Sequence, residues 1–287
     1  MADQIFVNRD EELERFRAVT QPHAKPVLVV CGDGGVGKSA LRRQMEAACT
    51  IRKVLIEWRK TRPYDYVDIM RSVASGSETP HFEEFQQLLA RFEEADRSIT
   101  INLQTTGAIE VAREAVLQNV GSVTATAVNI ERFVAGPRQN GLAANRMTRL
   151  TDAFLRCLGA ATTGAHIMIF LDAFEMSDKE TKDWVWSEFA TALDDESLRR
   201  VRLTVFTRET PSLEPNLRPL VDILPLAPLR PLHVVEYMRQ RGVTLPGDAF
   251  FSVVADGIIA ATSGSMISIV TAVEAMLAGQ NRVLGSP

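Results

Sequence analysis

Apolar residues recur along the chain with two spacings, one typical of buried strands and one typical of helices. Runs that are continuously apolar or alternate with period two predict strands, at Val27–Cys31, Val54–Trp58, Ala165–Leu171, Val201–Phe206 and Val221–Leu224. Segments with apolar residues three or four positions apart predict helices, at 10–16, Lys38–Ala48, His81–Phe92, Asn145–Leu158, Trp184–Leu193, Leu232–Gln240, Asp248–Val254 and Ser265–Leu277. Because strands alternate with helices, the pattern predicts an α/β fold with a parallel sheet flanked by helices.

The proline-rich stretch Pro225–Pro231 is the strongest candidate for a domain boundary, because only helical patterns follow it. We therefore expect a larger α/β domain over residues 1–226 and a small helical domain over residues 227–287. Residues 98–141 fit neither pattern: they mix short alternating runs with loop signals at Gly136-Pro137 and Asn140-Gly141. We expect them to form an insertion or an exposed hairpin-like region.

A glycine-rich motif directly follows the first predicted strand. It has the form Gly-x-x-x-x-Gly-Lys-Ser from Gly32 to Ser39, and a predicted helix begins at Lys38. Glycines let several backbone N–H groups point at one anion, and the helix N-terminus adds positive potential. Lys38 would reach the β- and γ-phosphates of a nucleotide, and the Ser39 hydroxyl would hold Mg²⁺. The expected nucleotide contacts are Gly32, Asp33, Gly34, Gly35, Val36, Gly37, Lys38, Ser39 and Ala40.

An acidic residue follows the most apolar predicted strand. Asp172 comes directly after the run that ends at Leu171, where a second carboxylate for Mg²⁺ is expected at the end of a neighbouring strand. Glu175 either orients the attacking water or is a solvated acid at a helix N-terminus. The residue directly after Asp172 is Ala173, whereas many mechanical P-loop ATPases have a catalytic Glu at this position. The absence of that Glu predicts slow hydrolysis or an unusual base.

Thr207 and Arg208 close the predicted strand Val201–Phe206. A polar residue followed by a cation at a strand end can sense the γ-phosphate, whose charge appears and disappears during the cycle. The alternative is an arginine that extends to solvent from the edge of the sheet. We predict catalytic roles for Lys38, Asp172, Glu175 and Arg208.

Composition limits the environment and the partners. A formal net charge of −4 gives no indication of a nucleic-acid-binding surface. The longest apolar runs are too short to span a bilayer, and the first residues lack a signal peptide, so we expect a cytoplasmic protein without membrane contact. The three cysteines, Cys31, Cys49 and Cys157, have no metal-binding spacing, and we expect reduced thiols.

Charge is unevenly distributed between two segments. Residues 42–62 hold seven Lys or Arg and two Glu, whereas residues 172–196 hold nine acids and two Lys. These segments are either two solvated faces or the complementary halves of a head-to-tail subunit contact.

Five motifs in order resemble those of STAND-class P-loop ATPases, the signal-transduction ATPases with numerous domains. The Phe6–Leu13 segment is similar to the motif that opens them, and the P-loop follows at the right interval. Leu171–Glu175 resembles the second motif of the NACHT and bacterial NLR-like branches, and Thr207-Arg208 is similar to the strand-end sensor. The last two motifs are the linker Leu226–Leu229 and the turn Ala261–Met266.

This resemblance implies roles that the residues alone do not. Val7 and Arg9 would lie at the nucleotide base or ribose, and Pro228 would pack on adenine. It also implies a signalling switch with a role in bacterial defence or regulation. Such a switch would form oligomers in the ATP state and act on protein partners. Family members generally continue into a winged-helix domain and a repeat sensor, so the chain is either a minimal form or the core of a larger protein.

The alternative function is a rapidly cycling AAA+-like motor that acts on protein or nucleic acid. A small-molecule kinase would need an arginine-rich lid, for which Arg138 and Arg146 are weak candidates. A GTPase is disfavoured because the chain has no Asn-Lys-x-Asp motif for base recognition.

Overall fold

The computed structural model describes residues 9–21, 23–59, 61, 64–76, 80–94 and 137–284. Val7 and most of the predicted insertion at 98–141 therefore lie outside the described residues. Contacts between Cα atoms divide the chain into two compact units, which are residues 1–76 with 164–287 and residues 77–163.

The first unit contains a five-stranded parallel sheet with strand order β2-β3-β4-β1-β5. The strands are β1 (Val27–Cys31), β2 (Arg52–Glu57), β3 (Ile167–Asp172), β4 (Val201–Thr207) and β5 (Val221–Pro225). Every residue of β1, β3 and β4 is buried, as expected for central strands covered on both faces. The predicted parallel α/β fold is confirmed.

Helices cover the sheet and form the C-terminal region of the first unit. They are α1 (Asp10–Val19), α2 (Lys38–Ala48), α3 (Tyr66–Ser75), α6 (Lys179–Asp183), α7 (Pro231–Gln240), α8 (Asp248–Thr262) and α9 (Met266–Leu284). The segment Trp184–Leu193 was predicted as an α-helix, but the structure has a π-helix at Trp184–Ala190 that continues α6.

Two hydrophobic clusters in the described part of the first unit are separate from each other. One lies between the sheet, α1 and α2, where the rings of Phe16 and Phe170 are 5.9 Å apart. The other is formed only by residues of the C-terminal helices and the segment before them, among them Leu229 and Val273. The predicted boundary between residues 226 and 227 stays a prediction, and the second cluster is consistent with it.

The second unit contains α4 (residues 83–94) and α5 (Pro137–Ala161). Phe82, in the 3₁₀ turn Pro80–Phe82, and Phe85, in α4, are buried against Phe154. This confirms that the predicted aromatic face is directed to a core. The loop prediction at Pro137 and Gly141 is wrong. Proline is tolerated at the first helical position because no N–H is needed there, and one helical glycine costs only about 1 kcal/mol.

No helix in the described part of the chain is long and apolar enough to cross a membrane. Cys31, Cys49 and Cys157 are buried free thiols.

Candidate functional site

The glycine-rich loop joins β1 to α2 and wraps around the N-terminus of that helix. Gly35 has φ +87° and Gly37 has φ +100°, both in the left-handed region that favours glycine. Gly37 is the N-cap of α2, so the first N–H groups of the helix open toward the loop. Val36 is buried in the hydrophobic core and anchors the loop.

A cavity of about 490 Å³ lies over this loop. Its lining contains all five predicted catalytic and metal-binding residues, namely Lys38, Ser39, Asp172, Glu175 and Arg208. Gly34, Gly35, Gly37 and Ala40 also line it. Gly32, Asp33, Val36 and Thr207 do not, although the Thr207 carbonyl accepts a hydrogen bond from the Gly32 N–H at 3.3 Å. The structure therefore brings the predicted catalytic and metal-binding residues together at one cavity, and their roles stay predictions.

Asp172 was expected at the end of a strand next to the loop strand, and the strand order differs from this expectation. Its strand, β3, does not pair with the loop strand β1, because β4 lies between them and pairs with both. All three strands are parallel, so their carboxyl ends meet at the same edge of the sheet. This arrangement places Thr207 and Arg208, at the end of β4, between the loop and Asp172.

Lys38 extends along the glycine-rich loop. Its ammonium Nζ donates to the carbonyl oxygens of Gly32 at 2.5 Å and Asp33 at 2.9 Å. Burial lowers the pKa of Lys38, and the carboxylates of Glu175 and Asp172 oppose that shift. The ammonium group therefore lies between the loop carbonyls and the acidic side of the cavity.

Asp172 is 4% exposed, and both of its carboxylate oxygens have partners. Oδ1 accepts from the Ala173 N–H at 2.9 Å, and Oδ2 is 2.8 Å from Nε of Arg42. Burial raises the pKa of Asp172, whereas the Arg42 guanidinium acts in the opposite direction. Arg42 therefore compensates for the burial of this charge.

Sequence reasoning missed Arg42. The signal was present, because Arg42 occupies a position between Leu41 and Met45 on the buried face of α2. A buried arginine on the face of a helix that packs on a sheet requires a carboxylate or carbonyl partner. Since Arg42 belongs to the basic segment and Asp172 to the acidic one, part of that charge pattern is an ion pair within the chain.

Glu175 and Arg208 form the outer wall of the cavity. Arg208 Nε is 2.9 Å from Glu175 Oε1, and the guanidinium lies close to Gly34, where an added Cβ would be 3.7 Å from Arg208 Cζ. Glu175 Oε2 is buried and has no hydrogen-bond partner among the described residues. An oxygen acceptor of this kind, in a cavity that Ser39 and Asp172 also line, fits a divalent cation with its bound water. The residues present therefore fit Mg²⁺.

A second cavity, of about 630 Å³, is lined by Arg9, Pro228 and His233 together with acidic residues of α1. The Arg9 guanidinium is 7% exposed and donates to the carbonyls of Val36 at 3.3 Å and Ala227 at 2.9 Å. It thus connects the start of α1, the glycine-rich loop and the segment before α7. Nucleotide-base binding by Arg9 and Pro228 stays a prediction.

The N-terminus of α9 contacts the glycine-rich loop directly. The Met266 N–H donates to the Gly35 carbonyl at 2.8 Å, and a Cβ added at Gly35 would lie 2.7 Å from Ser265 Oγ. Met266, Ile267, Val270 and Thr271 also line the first cavity. The sequence predicted a C-terminal helical region but not this contact.

His233 is expected to make the protein less stable in acid. It is 4% exposed, and its Nδ1 accepts from the Arg230 N–H at 3.1 Å, which requires an unprotonated nitrogen. Burial, then Arg230 and Arg9, lowers its pKa from 6.5. As pH falls below about 6.5, the unfolded chain takes up the proton first, so stability present above that pH is lost.

The test of His233 compares the midpoints of urea denaturation at about pH 7 and pH 5. His233→Asn, whose amide oxygen can accept the same bond, should reduce the pH dependence. An unchanged dependence would contradict this prediction.

Together, the parallel sheet, the loop between β1 and α2 and the buried Asp172 at the end of β3 define a P-loop NTPase. The sequence model of the AAA ATPase domain matches residues 5–213, and the chain belongs to this family. Membership implies nucleotide binding, usually with Mg²⁺.

Several solved structures are similar in fold. The chain matches Cdc6p from Pyrobaculum aerophilum with a TM-score of 0.53 and 13% identity, over 98% of this chain and 64% of that one. It matches a STAND protein with a tetratricopeptide repeat sensor from Pyrococcus horikoshii with a TM-score of 0.44 and 16% identity, over 93% of this chain and 29% of that one. It matches a chain of the HORMA:CdnC:Trip13 complex of E. coli MS115-1 with a TM-score of 0.43 and 11% identity, over 94% of this chain and 88% of that one. No curated protein sequence matches significantly.

Proposed function

We propose that this chain is an ATP-binding switch that hydrolyses ATP slowly and whose nucleotide state controls the placement of its C-terminal helices. The observation that carries the proposal is the hydrogen bond from the Met266 N–H to the Gly35 carbonyl. A ligand shifts a conformational equilibrium only through contacts that differ between the two states. Because α9 is hydrogen-bonded to the phosphate-binding loop, a change in the loop's contacts with the nucleotide can change the position of this helix.

In this proposal each residue of the cavity has one task. The Lys38 ammonium and the N-terminus of α2 bind the β- and γ-phosphates, and Ser39 and Asp172 would hold Mg²⁺. That ion would neutralise phosphate charge and orient the terminal phosphate. Arg208, beside Gly34 at the edge of the cavity, is placed to contact the terminal phosphate, with Thr207 behind it. Arg9 and Pro228 would bind the base, as the STAND resemblance implies, and Val7 would join them.

Slow hydrolysis is supported by the wall of the cavity next to Asp172. Ala173 is the residue directly after the carboxylate and has no group that could activate water. Glu175 is the acidic residue closest in sequence, and its Oε1 is engaged by Arg208. Within the described residues, this leaves only its other oxygen, Oε2, without a partner and able to orient a water molecule.

The finer functional class rests on the five-motif resemblance rather than on the fold. It supports a STAND ATPase of the NACHT or NLR-like type that signals by forming homo-oligomers in the ATP state, with a role in bacterial defence or regulation. Sedimentation with ATP, with ADP and without nucleotide tests this output. An identical size in all three conditions would contradict it.

The switch and motor functions are separated by the nucleotide that the purified protein retains. Denaturing fresh protein and identifying the released nucleotide should give near-stoichiometric ADP, because survival through about 10⁴ s of purification needs a Kd near 10⁻¹⁰ M at ordinary association rates. An empty protein that turns over at about 10 s⁻¹, the median for enzymes, would instead support an AAA+-like motor.

Glu175→Gln is expected to slow single-turnover ATP hydrolysis by about 10²-fold or more, a typical contribution of a general base, while ADP affinity changes little. Glu188→Gln is the control, since this exposed glutamate lies on the π-helical segment and does not line the cavity. Equal hydrolysis rates in the Glu175 variant and the wild type would assign Glu175 a structural role.

A further inference from the structure

Arg42 lies inside the protein between two carboxylates. Its side chain is 8% exposed, with Nε 2.8 Å from Asp172 Oδ2 and Nη1 2.8 Å from Glu46 Oε2. Asp172 is buried, whereas the Glu46 side chain is 28% exposed and lies one helical turn further along α2. The guanidinium therefore has one partner at the cavity and another outside its lining.

The contact with Asp172 involves the carboxylate that the proposed function assigns to Mg²⁺. Oδ1 of that carboxylate accepts the Ala173 N–H, and Arg42 Nε forms an ion pair with Oδ2 at 2.8 Å. A guanidinium and a metal ion that approach the same oxygen repel each other in a region of low dielectric constant. Arg42 therefore opposes the binding of Mg²⁺ at Asp172 for as long as this contact is kept.

Glu46 offers a place for the displaced charge. A buried guanidinium without a partner is costly, but Arg42 already contacts Glu46 and can keep that ion pair when Asp172 turns to another cation.

We propose that Arg42 is a positioning residue that competes with Mg²⁺ for Asp172, with Glu46 holding Arg42 when the carboxylate is bound to the metal. The consequence is a higher Mg²⁺ requirement for tight nucleotide binding, set by residues outside the phosphate-binding motif. This inference rests on the proposed nucleotide site and concerns its regulation.

The experiment measures Mg²⁺-dependent binding of ADP by isothermal titration calorimetry, without relying on turnover. Arg42→Met, which keeps the length and the apolar stem, should lower the Mg²⁺ concentration that gives half of the Mg²⁺-dependent gain in ADP affinity by about tenfold. Arg42→Lys keeps the charge and protects against loss of the fold, and its midpoint should stay closer to that of the wild type. If Arg42→Met is folded and its Mg²⁺ midpoint equals that of the wild type, the proposal is overturned.

Glu46 provides the opposite test, with Glu57 as its matched control. Glu46→Gln removes the alternative partner, so the Mg²⁺ midpoint should rise several-fold. Glu57→Gln removes the same charge from the residue paired with Asp172 across β2 and β3, but Glu57 is bonded to Arg59 rather than Arg42. A rise in the Glu46 variant alone supports the exchange, whereas an equal rise in both, or in neither, overturns it.

Failure of this inference can be told apart from failure of the proposed function. ADP binding measured in EDTA reports the phosphate-binding loop without the metal. If ADP binds there and the Arg42 and Glu46 variants leave the Mg²⁺ midpoint unchanged, only the role of Arg42 is wrong. If ADP does not bind with or without Mg²⁺, the nucleotide site itself is wrong.

Discussion

Lys38→Ala is expected to weaken binding of ADP and ATP by about 10- to 100-fold. A hydrogen bond to a charged group contributes about 1.5–3 kcal/mol, and each 1.4 kcal/mol is a factor of ten in affinity. The ammonium group is placed for this role, because it lies in the cavity and its present partners are loop carbonyls. Calorimetric titration with each nucleotide measures the effect.

Lys25→Ala is the matched control for Lys38. Lys25 Nζ also donates to two backbone carbonyls, those of Arg218 and Val221, but it precedes β1 at the opposite end of the sheet. Loss of nucleotide binding in the Lys38 variant alone assigns the effect to the cavity. Wild-type affinity in the Lys38 variant would contradict the site as described.

Gly264→Ala is expected to destabilise the protein by about 2–5 kcal/mol. Gly264 has φ +73°, and a Cβ there would lie 2.7 Å from Pro228 Cβ and 3.3 Å from the Leu229 carbonyl. Left-handed backbone costs a side-chain-bearing residue about 1–2 kcal/mol, and overpacking typically adds 1–3 kcal/mol. Because Gly264 precedes the helix that contacts the loop, retention of nucleotide should weaken as well.

Gly242→Ala separates backbone strain from steric overlap. Gly242 has φ +79°, but an added Cβ would meet nothing within 4 Å. This control should lose only about 1–2 kcal/mol and retain nucleotide normally. Urea denaturation of both variants measures the difference, and equal losses would contradict the close packing of Gly264 on Pro228.

The parts of the site that could be predicted from sequence are those encoded locally. The glycine-rich loop, Lys38 and Ser39 are adjacent in sequence, and their chemistry needs only the strand before them and the helix after them. Asp172 was predicted because a buried parallel strand is a continuous apolar run whose carboxyl end is marked by the first polar residue. The strands and most helices followed from the same periodicity.

The parts that sequence reasoning missed depend on contacts between distant segments. The pairing of Arg42 with Asp172 requires knowing which face of α2 is directed to β3. The hydrogen bond from Met266 to Gly35 joins residues from opposite ends of the chain. The position of β4 between β1 and β3 is a choice among topologies that apolar runs alone do not distinguish. Residue spacing carries no information on these pairings.

Amide hydrogen exchange at the start of α9 tests the central claim most directly. The Met266 N–H is bonded to the Gly35 carbonyl, so its protection reports the contact between the C-terminal helices and the loop. Exchange is followed in protein saturated with Mg²⁺ and either ADP or a non-hydrolysable ATP analogue. The account predicts that protection over residues 264–270 differs between the two nucleotides, while that of β1 stays constant. Equal protection of residues 264–270 with both nucleotides bound would contradict a switch that acts through this contact.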